Sequence, residues 1–278
     1  MANSIKIFKK ICSKYRPIVI FLLNKFLIRK KLNVGSGKRD WLGWNLVDEV
    51  NGLNIRNIKF SQDSDLPFKT SSQKLIYSSH FFEHTSPSQL SKVLSEIYRV
   101  MSPNGLFIIK LPNWDKVLDT YFSKDFNYIE SFPFGDLPQS WPLHAVENNI
   151  ENKMSMIFAG YFTKHYGDYF INNNSGSTIK GYHGPAKINL EELIQIFKSR
   201  DPNKISNMLS SIIKKDPDFY RFNHQQAWSK NQFESLLNLS GFRLLSADQS
   251  LIRYAYRNIA DFESMKNISN YYFVNKLV

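Results

Sequence analysis

The sequence has almost no cysteine. Cys12 is the only one in 278 residues, which excludes an internal disulfide framework and a metal cluster built from thiolates. A chain without disulfides fits a reducing compartment, and no cleavable signal with a small-residue cleavage site is visible, so a cytoplasmic location is expected. Apolar residues make up 42% and charged residues 22% of the chain, a balance that favours a packed core over disorder.

Acidic residues are scarce at the start of the chain. The first 40 residues contain eleven lysines and arginines and a single acid, Asp40, so they carry +10 of the net charge of +12. The rest of the chain is nearly neutral. An enzyme that acts on nucleic acid usually has a basic surface around its active site, so this distribution argues against a nucleic-acid partner.

The stretch 31–48, KLNVGSGKRDWLGWNLVD, contains an apolar run, a glycine turn and a second run that ends in a carboxylate. Gly35 and Gly37 have no Cβ, so the backbone can come close to a ligand. Asp48 can accept hydrogen bonds from two ribose hydroxyls. Asp40 stands where a dinucleotide fingerprint needs its third glycine, so the pattern predicts a nucleoside site without that full motif. Taken alone, it also fits an ordinary turn.

A run long enough to span a membrane is also missing. Residues 1–30 have apolar residues at roughly helical spacing with lysines between them, and Pro17 is expected to interrupt the helix. The apolar run 18–28 is shorter than the roughly 20 residues that a bilayer span needs. Two interpretations remain open: a helix packed on the body as a lid over the ligand site, or a basic amphipathic helix on an anionic membrane surface.

Apolar strands and amphipathic helices alternate after this point, which predicts an α/β protein with a parallel sheet. The predicted strands are 55–60, 74–78 and 106–111, with a helix from Pro87 to Met101. Residues 113–187 show no periodicity but are rich in aromatic residues, so we interpret 113–221 as an inserted cap with helices at 190–198 and 204–214. Residues 222–278 return to the main domain, with a helix from Ser229 to Leu239 and closing strands at 242–246 and 251–256.

Three stretches together resemble a known family: LNVGSG, DLPF and LIYSSHFFEHTSPSQLSKVLSEIYRVMSPNGLFIIKLPNW. They are similar to class I S-adenosylmethionine-dependent methyltransferases, and more narrowly to the type-11-like group associated with bacterial surface-glycan genes. The resemblance covers about residues 31–113 and 222–257. It implies a Rossmann-like sheet of seven strands, mostly parallel with the last strand antiparallel, and helices on both faces.

The resemblance also implies contacts to the cofactor S-adenosyl-L-methionine. Gly35 and Gly37 would approach its methionine and ribose parts, and Asp48 would hold the ribose. The full set of predicted cofactor-binding residues is Asn33, Gly35, Gly37, Asp48, Gln62, Asp63, Ser79 and His80. Glu96 and Arg99 would form a structural pair near the sheet.

Methyl transfer from a sulfonium mainly requires the acceptor, methyl group and sulfur to be aligned. A hydroxyl acceptor is helped by a base with a near-neutral pKa, which is usually histidine. His144 and His183 lie in the aromatic insertion, where an acceptor would bind, and they are the predicted base or acceptor contacts. His84 is predicted to be structural.

The segment His80-x-x-Glu83-His84 has the spacing of an inverted zinc-peptidase motif. That motif binds metal only on a regular helix with a further distant ligand, whereas here it spans a strand end and the segment before Pro87. We therefore expect no metal, with a non-catalytic cation at these side chains as the weaker alternative.

The sequence thus predicts an O-methyltransferase for a small polar acceptor, a sugar or a phosphorylated or nucleotide-activated precursor of a surface glycan, in polysaccharide biosynthesis. Aromatic faces stack on sugars, and the amides of the Asn-rich insertion can bind their hydroxyls. One alternative is an RNA or protein methyltransferase anchored by the basic arm. Another is an inactive methyltransferase-like binding protein, because Asn33 cannot balance the ammonium charge of the cofactor.

Overall fold

The computed structural model describes residues 2–61, 63–125, 150–164, 167–171, 186–216, 223–264 and 266–277. The strands are β1 Lys31–Val34, β2 Trp44–Asp48, β3 Ile55–Asn57, β4 Gln73–Ser79, β5 Met101–Pro112, β6 Phe242–Leu244 and β7 Ser269–Lys276. The helices are α1 Ala2–Phe26, α2 Pro87–Val100, α3 Trp114–Ser123, α4 Ile150–Thr163, α5 Gly167–Phe170, α6 Leu190–Phe197, α7 Pro202–Ile213, α8 Lys230–Leu239 and α9 Gln249–Asn258.

The strands form one seven-stranded sheet in the order β3-β2-β1-β4-β5-β7-β6. The pairs from β3 to β5 are parallel, and β7 runs antiparallel to both β5 and β6. The central strands β4 and β5 carry near-continuous apolar runs because helices cover both of their faces. The predicted Rossmann-like sheet with an antiparallel last strand is confirmed.

Helix α2 begins and packs as its sequence indicates. Ser86 and Gln89 form a reciprocal capping box, and Pro87 occupies the first helical turn. Near its end, Arg99 Nη2 lies 2.7 Å from Glu96 Oε2, which also accepts a hydrogen bond from the Leu66 amide at 2.8 Å. The hydrogen bond from Arg99 holds the pKa of Glu96 below its usual value. The predicted structural pair is confirmed.

The predicted closing hairpin is wrong in its second half. Residues 251–256 lie in α9, where the Asp248 side chain caps the helix by accepting a hydrogen bond from the Leu251 amide. Leu251, Ala255 and Ile259 recur every four residues and pack on the sheet, as a helix requires. The closing strand is β7, which lies further along the chain, and β6 is shorter than expected.

Helix α1 runs without a break through Pro17, so the expected interruption is also wrong. The Pro17 carbonyl accepts a hydrogen bond from Asn54 Nδ2 at 2.9 Å. Asn24 Oδ1 accepts another from the Gly43 amide at 2.8 Å. Gly43 and Asn54 immediately precede β2 and β3, so α1 packs at the amino ends of these strands.

The position of α1 excludes one of the two interpretations of residues 1–30. The glycine turn and Asp48 lie at the carboxyl ends of β1 and β2, whereas α1 contacts the opposite ends. The interpretation of this segment as a lid over the ligand site is therefore wrong. None of the helices in the described part of the chain is long and apolar enough to cross a bilayer.

The insertion contributes a helical layer in which α4 packs against α3, α5, α6 and α7. Helices α6 and α7 match the two helices predicted at 190–198 and 204–214. Helices α3 and α4 were not predicted from the sequence. Helix α4, IENKMSMIFAGYFT, has no apolar stripe because its core contacts surround it, with Met154, Phe158 and Ala159 all buried.

Candidate functional site

A cleft of about 380 Å³ lies at the carboxyl ends of β1, β2 and β4. This volume falls within the range of small-molecule sites, about 300–1,000 Å³. In open sheets of this kind, ligands bind outside the carboxyl ends of the strands. The lining residues are Gly35, Gly37, Arg39, Asp48, Glu49, Phe60, Ser79, His80, Phe81, His84, Thr85, Gln89 and Lys164.

The glycine turn forms one wall of this cleft. The Gly35 and Ser36 amides both donate to the Val47 carbonyl, at 3.0 and 3.1 Å, and tie the turn to β2. Gly35 has φ +70°, and a Cβ there would lie 2.4 Å from the Phe81 ring. The turn therefore needs glycine both for its backbone conformation and for the space that Phe81 occupies.

Asp48 joins the turn to the end of β2. Its Oδ2 accepts a hydrogen bond from the Gly37 amide at 2.7 Å, and its Oδ1 accepts one from the Val50 amide at 3.1 Å. A carboxylate has about four lone-pair sites, so roughly two remain on this half-buried side chain at the edge of the cleft. The residues therefore fit a ribose that offers two hydroxyl donors.

The structure brings five of the predicted cofactor residues together in the cleft: Gly35, Gly37, Asp48, Ser79 and His80. Asn33 does not line it. It is 1% exposed, and neither of its amide atoms has a hydrogen-bond partner among the described residues. Asp63 is exposed and also lies outside the lining.

Three predicted site residues, Gln62, His144 and His183, lie outside the described residues. The roles predicted for all of these side chains remain predictions.

His80 is held by contacts on both of its ring nitrogens. Its backbone has φ +51°, and Nε2 lies 2.9 Å from Ser269 Oγ. Nδ1 lies 3.3 Å from Glu83 Oε1, without hydrogen-bond geometry. Since both nitrogens face protein groups, His80 positions Glu83 and the strand end.

One ring nitrogen of His84 is hydrogen-bonded to the backbone, and the other can accept a proton. Its Nδ1 lies 3.1 Å from the Asn223 carbonyl, which can only accept a hydrogen bond, so Nδ1 carries the proton and Nε2 offers a lone pair. His224 is arranged in the same way, with Nδ1 2.9 Å from the Tyr161 carbonyl. The two rings pack edge to face, with centroids 4.7 Å apart.

Burial sets the charges in this group. It lowers the pKa of His84, and it lowers the pKa of His224 well below the usual range, so both imidazoles are neutral near pH 7. Burial alone would raise the pKa of Glu83, but the nearby histidines outweigh it, His80 first, and lower that pKa to about 2. The cluster thus pairs a carboxylate with two neutral bases.

These side chains also have the composition of a metal-ligand set. One ligand atom from each of Glu83, His84 and His224 lies within 4.8 Å of the others, and two imidazoles with a carboxylate are a common combination for divalent metals. The sequence motif suggested His80 as a member, but the structure brings His224 into the group in its place.

Arg39, Glu49 and Lys164 line the cleft but were not predicted from the sequence. Glu49 had a signal, because it directly follows Asp48. Arg39 lies two residues after the turn, where its Nη1 bonds the Ser36 carbonyl at 2.7 Å and its Nε bonds Asp261 at 2.8 Å. Lys164 follows α4 with no motif around it, so only the folded chain shows its position.

Comparison with known families identifies part of this architecture. Residues 47–109, from the end of β2 into β5, match the family model described as a methyltransferase domain. This stretch of the chain is therefore similar to part of a methyltransferase domain. The glycine turn and Asp48 at the edge of the cleft fit a nucleoside such as the adenosyl part of S-adenosyl-L-methionine.

Solved structures give only distant likenesses. A SAM-dependent methyltransferase from Archaeoglobus fulgidus is 13% identical over 97% of this chain and 94% of its own, with a TM-score of 0.37. CalH, crystallised with SAH, is 12% identical over 33% of this chain, with a TM-score of 0.22. The PH0226 protein of Pyrococcus horikoshii is 15% identical over 40% of this chain, with a TM-score of 0.25.

This chain spans 34% of the length of the CalH chain and 61% of that of the Pyrococcus protein. Among curated proteins, no significant match to the chain is found. None of these likenesses bears on the acceptor.

Proposed function

We propose that the protein is an S-adenosylmethionine-dependent O-methyltransferase that acts on a small polar acceptor, a sugar or a phosphorylated or nucleotide-activated precursor of a surface glycan. The observation that carries the proposal is that a neutral imidazole, His84, borders the same cleft as the glycine turn and Asp48. An acceptor hydroxyl needs such a base, because it becomes a good nucleophile only as it loses its proton.

The chain supplies alignment and proton transfer. When bound, S-adenosyl-L-methionine supplies a methyl group on a positively charged sulfur, which is already a good leaving group. Asp48 would hold the ribose hydroxyls, and the turn at Gly35 and Gly37 would let the backbone lie close to the cofactor. Nε2 of His84 would take the proton of the acceptor hydroxyl as that hydroxyl becomes the nucleophile. His144 and His183 remain the predicted acceptor contacts of the insertion.

Replacing Asp48 tests the cofactor part of the proposal. Asp48→Asn keeps the shape of the side chain but removes the charge that strengthens its hydrogen bonds to hydroxyl donors. We expect the affinity for S-adenosyl-L-methionine and S-adenosylhomocysteine to fall about 10- to 100-fold, measured by isothermal titration calorimetry. Asp119→Asn is the matched control, because Asp119 is exposed and outside the lining. Equal affinity of wild type and Asp48→Asn would contradict this placement.

The cations at the cleft favour an acceptor that carries an anionic group. Lys164 and Arg39 both line it, and a cation beside an acceptor site favours a phosphate. Arg39 is already paired with Asp261 at 2.8 Å. Lys164 has Glu83 as an electrostatic neighbour, while burial lowers its pKa. Glu83 offsets the positive charge of Lys164 only in part. This lysine, just after the carboxyl-terminal end of α4, can therefore bind an anionic group of the acceptor.

A screen for turnover tests this acceptor class. S-adenosylhomocysteine release is measured with sugar phosphates, nucleotide sugars and the matching free sugars. Lys164→Met should raise KM for the phosphorylated substrates by about tenfold or more and leave the affinity for the cofactor unchanged. Lys198→Met is the control, since Lys198 is an exposed lysine of the same insertion away from the cleft. Turnover of the phosphorylated substrates that is insensitive to Lys164→Met and no more efficient than turnover of the free sugars would exclude the phosphorylated class.

A further inference from the structure

Helix α1 has two distinct faces in the half where its side chains are described. Pro17, Ile20 and Asn24 face the body, and Ile20 and Asn24 are 7% and 4% exposed. The opposite face carries six large apolar side chains that are 47–87% exposed and that we call the α1 apolar stripe: Tyr15, Ile18, Val19, Leu22, Leu23 and Phe26. At 100° per residue, these six fall within one sector about 140° wide.

Cations flank this stripe. At the same helical spacing, Lys14 and Lys25 lie along one side of it and Arg16 along the other, and all three are exposed. The only acid in the first 40 residues is Asp40, which pairs with Arg16 at 3.2 Å. In the sequence, Lys6, Lys9 and Lys10 add further positive charge to the same helix. An apolar sector bordered by lysines and arginines is complementary to the headgroups and outer acyl region of an anionic bilayer.

We propose that α1 binds the surface of an anionic membrane, with the α1 apolar stripe inserted among the headgroups and its flanking cations on acidic lipids. The helix lies along the surface and does not cross it: it is about 37 Å long at 1.5 Å per residue but too polar to span a bilayer. The charge selects this occupant over a second copy of the chain, because two such helices face to face would bring +6 against +6.

The anchoring contacts suit this orientation. Asn24 and Pro17 fix the opposite face of the helix, because they accept hydrogen bonds from the Gly43 amide and from Asn54. Binding therefore needs no rearrangement to expose the stripe. The proposal does not depend on methyl transfer, since α1 contacts the ends of the strands opposite the cleft.

Co-sedimentation of the full-length protein with large unilamellar vesicles tests the proposal. We expect binding to vesicles of equal parts phosphatidylcholine and phosphatidylglycerol, at least about tenfold weaker binding to phosphatidylcholine alone, and release by added salt. Leu22→Asp should reduce binding to the anionic vesicles about tenfold or more, because it places a charge in the apolar sector and a negative charge against acidic lipid. Leu239→Asp is the matched control, a highly exposed leucine at the end of α8, and should bind like wild type.

Several outcomes would overturn the proposal. They are equal binding of Leu22→Asp and wild type, binding that ignores the lipid charge, and no binding by the wild type. Sedimentation velocity without lipid addresses the other occupant: a wild-type dimer that Leu22→Asp converts to a monomer would assign the stripe to a second copy of the chain. Circular dichroism checks that Leu22→Asp is folded. If this variant does not fold, the release of the wild-type protein from anionic vesicles by salt still tests whether charge contributes to binding.

Discussion

Gly35→Ala is expected to abolish measurable binding of S-adenosyl-L-methionine and to lower the free energy of unfolding by about 2–4 kcal/mol. Two costs add at this position. The backbone has φ +70°, where a residue with a Cβ is strained, and the new methyl group would lie 2.4–2.5 Å from three atoms of Phe81. Relief of the clash would displace either Phe81, which lines the cleft, or the turn that bonds Val47. Calorimetry and urea unfolding measure the two effects.

Gly43→Ala separates the cost of backbone strain at positive φ from the cost of a steric clash with a neighbouring side chain. Gly43 has φ +78°, but a Cβ there would meet no other atom of the described residues within 4 Å. We therefore expect it to cost only about 1 kcal/mol of stability and to leave cofactor affinity intact. Adding Phe81→Ala to Gly35→Ala should recover part of the lost stability, because the neighbour that the methyl group meets is removed. If the two glycine variants behave alike, contact with Phe81 does not shape the site.

His84→Gln is expected to lower kcat by about 10²- to 10⁴-fold, the usual contribution of a general base, without changing the affinity for the cofactor. The amide can still donate to the Asn223 carbonyl, but it cannot accept a proton at neutral pH. Single-turnover methyl transfer to an acceptor found in the screen above measures the chemical step. A loss of less than about threefold would make His84 structural, as the sequence alone suggested.

The pH dependence provides a second readout for His84. A base must be deprotonated to act, and burial lowers the pKa of His84 below its usual 6.5. The wild-type rate should therefore be level at neutral pH and fall only as the pH drops through that lowered pKa. This acidic limb should disappear in His84→Gln. His224→Gln is the control: His224 does not line the cleft, so the variant should retain the acidic limb.

The parts of the fold that the sequence predicted are those with local signals. The glycine turn, the helix that begins at Pro87 and the strand 106–111 each depend on neighbouring residues, so they could be predicted from short stretches. The segment 251–256, LIRYAY, mixes apolar and polar residues in an order that fits the spacing of a strand as well as that of a helix. Its helix is decided by the cap at Asp248 and by the register of Leu251 and Ala255 on the sheet.

The site was predictable only where its residues follow a strand. Asp48 ends β2 and His80 follows β4, so the topology alone brings them together. The partnership of His84 with His224 depends on hydrogen bonds that join residues far apart in the chain: the Gln225 amide donates to the Glu83 carbonyl at 2.6 Å, and the His224 amide donates to Thr163. No spacing rule could reveal it. Lys164 reaches the cleft because α4 is buried in the insertion, which local sequence does not encode.

Helix α1 packs at the start of β2, and the cleft lies at its end. The length of β2 therefore separates the proposed membrane-binding surface from the cleft. Five residues of strand at about 3.3 Å each put about 16 Å between the two ends of β2. A protein that binds lipid through α1 would hold this cleft above the headgroup layer, facing water. Freely diffusing precursors could enter it directly, whereas a precursor carried on a lipid would have to raise its reacting hydroxyl by that height to be methylated.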